Sequence, residues 1–227
     1  MCLSEITEIH YYLFFFLLLA VNKYYIYEND IPEDFPISAS VAIDTESMGL
    51  INRRDRLCLV QLSVGDGAAH LVKFNGKDYS APRLKDLLLD SCVTKIFHFG
   101  RFDIAILRHY IGALTINCYC TKIASRLART YTDHHSLKEL CSELLGVKLN
   151  KGKQSSDWGA SSLSREQMSY AASDVLYLHA IKEALDGMLK RENRFKLAEA
   201  CFQFLPYRAE LDLLGWEAQD IFSHKIQ

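Results

Sequence analysis

Four acidic residues and one tyrosine lie in three separated, otherwise apolar segments of the sequence. Asp44 and Glu46 occur in VAIDTE, Asp103 in HFGRFDIAIL, and Tyr170 with Asp174 in YAASDVLYL. Burial of an ionised carboxylate is so unfavourable that such groups are normally paired, hydrogen-bonded or bound to a metal. Because no run of Lys or Arg lies beside these acids, we expect a fold that gathers them around a divalent cation.

The first two acids share one face of a predicted strand. The apolar run 41–43 is typical of a buried strand, and the side-chain period of two places Asp44 and Glu46 on the face opposite Thr45. Two carboxylates on one face can contact the same ion.

The third segment predicts a helix that carries a tyrosine and an acid together. Tyr170 and Asp174 lie four residues apart, one helical turn, within a pattern that predicts a single helix from Ser164 to Leu189. Asp103 follows a predicted strand and a break at Gly100, at the start of an amphipathic helix. All three segments place polar atoms on strands or helices near a turn, where a rigid scaffold can hold them.

The remaining pattern predicts one compact α/β domain. The chain has 227 residues, 49% of them hydrophobic, and no linker or internal repeat interrupts it. Strands are predicted at 41–44, 57–64, 69–74, 95–99 and 115–118, and helices at 81–90, 101–111, 122–128, 136–145 and 164–189. This order predicts a mixed five-stranded sheet, an antiparallel meander joined to parallel strands, flanked by helices. Helical segments from about residue 194 close the chain.

The ordered motifs D-x-E, F-D-x-x-x-L and Y-x-x-x-D resemble a known family. Together with HSLKEL and QSSDWGASSLSREQMSYAASDVLYL, they are similar to the DEDD superfamily of 3′-to-5′ exonucleases, in the subgroup with tyrosine in the third motif. Residues 43–178 resemble ribonuclease D, although too few residues follow Asp174 for the helical domains that ribonuclease D carries there. The compact length and the ending ACFQFLPYRAELDLLGW look closest to the nanoRNase C family, whose members cleave dinucleotides.

The resemblance implies a ribonuclease H-like fold and a division of the chain. We expect an N-terminal extension at 1–25, an exonuclease domain at 26–192 and a C-terminal helical tail at 193–227 that packs on the domain or forms oligomer contacts. Members of the family assemble into octameric rings, so we expect a homo-oligomer.

The carboxylates also predict a reaction. Two divalent ions about 3.5–4 Å apart can stabilise both ends of an in-line phosphodiester displacement, and Mg²⁺ and Mn²⁺ prefer oxygen ligands. We expect Asp44, Glu46 and Asp174 to hold one ion, and Asp44 with Asp103, directly or through water, to hold the other. Tyr170 then orients or helps deprotonate the attacking water. Taken singly, an Asp more often caps a helix and a Tyr fills core, but the ordered set favours catalysis.

The charge balance favours a short nucleic acid. The chain has 26 Lys+Arg and 28 Asp+Glu, whereas gripping a long polyanion normally uses a basic face. Local basic clusters are Arg53, Arg54 and Arg56; Lys122, Arg126 and Arg129; and Lys148, Lys151 and Lys153. Each is at least as typical of a solvated surface. Arg101 and the loop 151–158 are the preferred candidates for phosphate contact.

Several further residues are candidates for contact with the substrate. Leu50 lies where the resembled exonucleases place an apolar wedge between the last two bases, and ordinary loop packing is the alternative for both Leu50 and Trp158. A histidine on an apolar strand is more often a satisfied core residue, so His98 is not assigned a metal. The full set is Met48, Leu50, His98, Arg101, Phe102, Gln154 and Trp158.

Three function classes follow. The leading hypothesis is an exoribonuclease that acts on very short RNA, and the alternative is a broader ribonuclease D-like enzyme that trims longer RNA or DNA 3′ ends. A noncatalytic nucleic-acid-binding module is the third, disfavoured because binding alone gives no reason to keep a costly acid cluster.

Cysteine usage and the N-terminus predict a cytoplasmic protein. Seven scattered cysteines form no disulfide framework and are typical of reduced thiols. The apolar run Tyr11 to Val21 is shorter than the roughly 20 residues of a membrane span, and acids rather than Lys or Arg precede it, unlike in a signal peptide. We expect a dispensable extension and no stable membrane association.

Overall fold

The computed structural model of the chain describes residues 23–149 and 156–224. Within these residues, six strands form one mixed sheet in the order β1-β4-β3-β2-β5-β6. The strands are β1 (Lys23–Glu28), β2 (Ser40–Ser47), β3 (Leu57–Ser63), β4 (Ala68–Lys73), β5 (Thr94–Phe97) and β6 (Cys118–Cys120). The helices are α1 (Pro82–Leu89), α2 (Arg101–Tyr110), α3 (Thr121–Ala128), α4 (Leu137–Leu145), α5 (Arg165–Leu176), α6 (Leu178–Arg191) and α7 (Phe195–Leu211), followed by a π-helical turn at Asp212–Trp216. The predicted mixed sheet flanked by helices is confirmed.

The predicted number of strands is wrong by one, because β1 was not expected. This edge strand pairs in parallel with β4, from Lys23 opposite Ala68 to Glu28 opposite Lys73. Its sequence, KYYIYE, has four consecutive aromatic or aliphatic residues and therefore lacks the alternation that marks a half-buried strand, and none of the six residues is fully buried. The predicted boundary at residue 25 falls within β1, and the apolar run that precedes the strand lies outside the described residues.

Strand β2 lies in the middle of the sheet and carries the first two acids. It runs antiparallel to β3 and parallel to β5. All seven residues of β3 are buried, which a strand covered by helices on both faces requires. The pairing of β2 with β3 shifts register between Glu46 and Ser47, and this irregularity ends the regular strand just after the second acid.

Two serines fix the starts of the helices nearest the acids. Ser136 and Ser164 each form a capping box, with Glu139 and Gln167 respectively, in which side chain and backbone satisfy each other's hydrogen bonds. The predicted single helix from Ser164 to Leu189 is wrong, because the chain breaks at Tyr177 into α5 and α6. The apolar pattern continues through this break without Gly or Pro, so the sequence carries no stop signal there. The last predicted strand, 115–118, is shifted to β6.

The C-terminal helix α7 packs against the edge strand β6. The ring of Phe202 on α7 lies 4.5 Å from the ring of Tyr119 on β6, and Ala198, Phe202, Leu205 and Ala209 are buried. The helices described within 23–149 and 156–224 include none that is long and apolar enough to cross a membrane.

Candidate active site

Three of the predicted acids converge. Asp44 and Glu46 project from β2 and Asp174 projects from α5, and one ligand atom from each lies within 4.8 Å of the other two. Strand alternation puts the first pair on one face, and the packing of α5 over the sheet brings the third acid to them. This separation lets a single cation contact all three carboxylates.

The fourth acid, Asp103, lies beside this trio in the first turn of α2. Its side chain is buried, and Oδ1 accepts a hydrogen bond of 2.6 Å from the Thr45 hydroxyl. Thr45 was expected on the opposite face of the strand and was not predicted as a site residue. Gln61 on β3 was also missed, and its Nε2 donates to Asp44 Oδ2 over 3.3 Å. Both contacts join residues distant in sequence, so no local sequence pattern predicts them.

A cleft of about 710 Å³ opens over the acids. Its lining includes the four carboxylates and Tyr170, and five of the predicted substrate contacts: Met48, Leu50, His98, Phe102 and Trp158. Leu50 is 86% exposed, which is unusual for a leucine and suits contact with a flat, apolar ligand surface. Gln154 lies outside the described residues.

Trp158 supports the cleft wall from inside. It is 2% exposed, and its ring centroid lies 6.1 Å from that of Tyr170. The predicted alternative, a tryptophan that packs its loop onto the fold, therefore describes its surroundings best. The loop is held further by Arg56, which donates to the carbonyl of Gly159 over 3.1 Å.

Arg101 does not face the acids, contrary to its predicted place beside the substrate. Its guanidinium donates to both carboxylate oxygens of Asp212, at 2.5 and 2.7 Å, and to the Glu217 carbonyl at 2.7 Å. Arg101 instead lines a neighbouring cavity of about 260 Å³, which shares Leu50, Phe99 and Phe102 with the cleft. The adjacency of Arg101 to Asp103 in sequence was misleading because neighbouring residues on a helix point in different directions.

The basic clusters divide into structural and cleft residues. The exposed Arg54 pairs with Asp55, and the buried Arg129 pairs with Glu143, so both guanidinium groups already have carboxylate partners. Lys122 lines the cleft, with Nζ 4.6 Å from the centroid of Phe99, and Lys138, which was not predicted, lines it as well. Lys151 and Lys153 lie outside the described residues.

The acids hold their protons strongly in the absence of a cation. Burial raises the pKa of Glu46 to about 9 and that of Asp103 and Asp174 to about 7. Burial, followed by repulsion from the other three carboxylates, raises the pKa of Asp44 well above its ordinary value. A divalent cation would reverse this effect by favouring the ionised forms.

Tyr170 is a hydrogen-bond donor to Asp174 in the cation-free site. Burial, followed by the negative charge of Asp174, raises the pKa of its phenol above the ordinary value of 10.0. Its hydrogen bond with Asp174 lowers the pKa of that carboxyl, partly opposing the effect of burial. The phenol therefore stays protonated at neutral pH.

His98 offers an acceptor to the cleft. The Thr121 hydroxyl donates to the Phe97 carbonyl at 3.1 Å and also lies 2.8 Å from His98 Nδ1. The hydroxyl has only one hydrogen, so when it donates to the carbonyl, Nδ1 donates to the hydroxyl and the lone pair is on Nε2. Burial, with a smaller contribution from Lys122, lowers the pKa of His98 to about 3, so the ring is neutral.

Residues 26–190 match a family model described as 3′-5′ exonuclease. The chain belongs to this 3′-5′ exonuclease family. A ribonuclease D from Acidiphilium cryptum is 34% identical to this chain over 154 residues, which cover 68% of the chain and 39% of the relative. The chain thus spans well under half the length of that curated relative.

Solved structures resemble the chain over most of its length. Brucella melitensis NrnC bound to pGG is 53% identical with a TM-score of 0.86, covering 90% of this chain and 100% of that one. The same protein with bound Mg²⁺ is 52% identical with a TM-score of 0.85, covering 89% of this chain and 100% of that one. Escherichia coli RNase D, an exoribonuclease involved in structured RNA processing, is 27% identical with a TM-score of 0.68, covering 76% of this chain and 45% of that one. The predicted resemblance to ribonuclease D and nanoRNase C, and the ribonuclease H-like fold class, are confirmed.

Proposed function

We propose that this chain is a metal-dependent 3′-to-5′ exoribonuclease that hydrolyses very short RNA, including dinucleotides, and releases nucleoside 5′-monophosphates. The observation that carries the proposal is the convergence of Asp44, Glu46 and Asp174 within 4.8 Å at the base of an open cleft. The position of Asp103 beside them completes the four-acid set of the family.

The chemistry of the donor set fits Mg²⁺ or Mn²⁺. All four groups are hard oxygen donors, and burial, the largest cause of their raised pKa values, disfavours their ionised forms unless a cation lies beside them. Two such ions would supply charge stabilisation for the attacking and leaving oxygens of the phosphodiester. We assign Asp44, Glu46 and Asp174 to the first ion, and Asp44 with Asp103 to the second.

The protein's other groups orient the substrate. The pKa of the Tyr170 phenol is raised in the cation-free site, so we infer that Tyr170 orients the attacking water by hydrogen bonding. The exposed side chains of Met48 and Leu50 provide apolar surface for base contact, which is tolerant of sequence because every base has a flat face. His98 adds a hydrogen-bond acceptor.

Three observations support a short substrate. The cleft of about 710 Å³ is of the size that encloses a small ligand, and the chain carries a formal net charge of −2 with few basic residues in the cleft lining. The similarity to NrnC bound to pGG extends over 90% of this chain. The alternative is trimming of longer RNA or DNA 3′ ends, favoured by the similarity to Escherichia coli RNase D.

A time course with 5′-labelled RNAs of two to about ten nucleotides distinguishes hydrolysis of very short RNA from trimming of longer ends. This range of lengths brackets the number of nucleotides that a small binding domain contacts. Matched DNAs and parallel reactions with Mg²⁺ and Mn²⁺ complete the set. We expect the dimer to disappear faster than longer RNAs, and the opposite order would select general trimming.

Variants test the site itself in the same assay. Asp44→Ala and Asp174→Ala should abolish cleavage while leaving the fold largely intact. The exposed Glu183, on α6, provides a control in which one acid is removed elsewhere, so Glu183→Gln should cleave normally. Undiminished turnover by either Asp variant would contradict the assignment, and binding without cleavage by the unaltered chain would favour a noncatalytic module.

The division of the chain and its assembly remain proposals. Deleting residues 1–22, which precede β1, should leave soluble, active protein. Exposed apolar residues of the C-terminal tail, Tyr207, Leu214, Trp216 and Phe222, suit contact with a second copy in a homo-oligomer, with the octamer of the resembled family as the expected form. A monomer by light scattering at micromolar concentration would contradict this assembly. The cytoplasmic location also stays a prediction.

A further inference from the structure

A carboxylate outside the acid cluster is joined to the turn that carries Asp103. Asp212, in the π-helical turn after α7, accepts two hydrogen bonds from Arg101, with Nε to Oδ2 at 2.5 Å and Nη2 to Oδ1 at 2.7 Å. A bidentate pair fixes both the position and the orientation of the guanidinium. The Asp212 side chain is only 10% exposed, so water and salt screen the pair weakly.

A second arginine and a carbonyl complete this connection. Arg208, four residues before Asp212 on α7, donates to Asp212 Oδ1 at 2.6 Å. Arg101 also donates to the Glu217 carbonyl at 2.7 Å. Arg101 is the first residue of α2, so the network joins the C-terminal segment to the start of the helix that holds Asp103.

The turn before Arg101 needs such support. Phe99 has a φ of +65°, in the left-handed region that a residue with a bulky side chain rarely adopts. At Gly100, an added Cβ would lie 2.6 Å from Cβ of Phe97, so the backbone is also tightly packed. Strained turns persist where their surroundings determine them, and here Phe99, Phe102 and Asp103 all line the cleft.

We propose that Asp212 is a positioning residue for the exonuclease site. By holding Arg101, it fixes the turn between β5 and α2, and through that turn it holds Phe102 and Asp103 in place against the other acids. The inference rests on the proposed function. It assigns a role in the site to the C-terminal segment, because Asp212 lies beyond residues 26–190, which match the family model.

The chain offers a matched control for helix docking. Arg108, in the last turn of α2, pairs with Glu210 on α7 at 2.6 Å. This pair, like the Arg101 pair, joins α2 to the C-terminal segment, but it lies at the end of α2 away from the cleft. Glu210→Gln therefore removes one cross-helix ion pair without touching the turn.

The experiment compares Asp212→Asn, Arg101→Gln, their double variant and Glu210→Gln. Turnover of a dinucleotide is measured beside Mg²⁺ binding by isothermal titration calorimetry and the melting temperature. We expect Asp212→Asn to lower kcat roughly 10- to 100-fold, as displaced catalytic groups do, and to weaken Mg²⁺ binding. Glu210→Gln should leave both within about twofold of the unaltered chain, a margin typical of an independent site.

A double-variant cycle shows whether Asp212 acts through Arg101. If it does, the double variant loses no more activity than either single variant, because the second change removes nothing further. Should Asp212→Asn fail to fold, Arg101→Lys gives the same comparison, since lysine keeps the charge and loses the bidentate fork.

The two proposals fail in different ways. An unaltered chain that cleaves no RNA would overturn the proposed function, while the Mg²⁺ titration would still decide the role of Asp212. Three results would overturn the positioning role alone. The first is normal turnover and normal Mg²⁺ binding in Asp212→Asn, and the second is a loss of turnover in Asp212→Asn no larger than that in Glu210→Gln. The third is a double variant whose loss of turnover equals the sum of the losses in Asp212→Asn and Arg101→Gln, expressed as free energies.

Discussion

Thr45 donates its hydroxyl hydrogen to Oδ1 of Asp103 across 2.6 Å, and both side chains are buried. Burial raises the pKa of Asp103 to about 7, and the hydrogen bond from Thr45 counteracts part of that rise. Only the ionised carboxylate attracts a cation, so Thr45 keeps Asp103 in its useful form near neutral pH.

Replacing Thr45 by valine, which has nearly the same shape, removes this donor. The pKa of Asp103 should then rise further above its ordinary value, and the acid limb of the rate profile should move up by about one pH unit, the equivalent of one hydrogen bond. Cleavage falls at pH 7 and recovers toward pH 9, as kcat/KM measured across this range would show. Thr45→Ser keeps the hydroxyl and serves as control, and an equal loss at every pH would contradict the prediction.

Cation binding should release protons. At pH 7, Glu46 is protonated and Asp103 and Asp174 are partly so, since burial raises their pKa values to about 9, 7 and 7. A bound divalent ion requires the ionised forms, so Mg²⁺ affinity should rise with pH. Calorimetric titrations in buffers of different ionisation enthalpy measure the protons released, and a buffer-independent heat would show that the acids are already ionised.

The same pKa values predict how pH affects the metal-free fold. Each raised carboxyl pKa contributes stability that is complete below the unfolded values of 3.8 or 4.5 and is lost as pH rises through the folded value. Metal-free protein should therefore lose stability from about pH 4 through 7 and up to 9. Asp44→Asn removes one member of the cluster and should raise the melting temperature at pH 8 by at least about 3 °C.

Melting curves at pH 5 and pH 8, each with chelator and with Mg²⁺, check this prediction. Excess Mg²⁺ should stabilise the unaltered chain at pH 8 more than at pH 5, and it should have little effect on Asp44→Asn. A variant less stable than the unaltered chain at pH 8 without metal would show that Asp44 supports the fold by other contacts.

Tyr170→Phe should slow the reaction while keeping the fold. The phenol stays protonated because burial and then the charge of Asp174 raise its pKa, so its loss removes a donor and not a base. We expect kcat to fall roughly 10- to 100-fold, with Mg²⁺ affinity reduced far less, because only orientation of a reactant is lost. The kinetic constants and a Mg²⁺ titration measure both effects. A rate limb in the unaltered enzyme that tracks ionisation of a tyrosine below pH 9 would contradict this role.

The two pairs of site residues within single segments could be predicted because local rules govern them, whereas the convergence of the segments was implied by the family resemblance. Strand alternation places Asp44 and Glu46 together, and one helical turn separates Tyr170 from Asp174. The supporting contacts depend on the tertiary fold, since Thr45 bonds a residue 58 positions away and Arg101 one 111 positions away. The predicted element boundaries were wrong at two places. The edge strand β1 has no alternation of apolar and polar residues, and the break between α5 and α6 contains no Gly or Pro.

The tautomer of His98 provides a last prediction. With the Thr121 hydrogen donated to the Phe97 carbonyl, we expect His98 to carry its own hydrogen on Nδ1 and to present Nε2 to the cleft as an acceptor. Nitrogen chemical shifts of the ring should show this tautomer in the unaltered protein. Thr121→Val removes the partner of Nδ1 and should produce a mixture of tautomers, whereas Thr121→Ser should not.

A substrate donor bound by Nε2 would lose its partner in part of the Thr121→Val population. We expect KM for a short RNA to rise about threefold to tenfold, equivalent to roughly one hydrogen bond, with a smaller change in kcat. Comparing RNA with its deoxy counterpart then distinguishes a 2′-hydroxyl donor, for which only the RNA value rises, from a base or 3′-hydroxyl donor, for which both rise. If the unaltered protein carries the hydrogen on Nε2, the ring faces the cleft as a donor and the prediction reverses, because it would then bind a substrate oxygen.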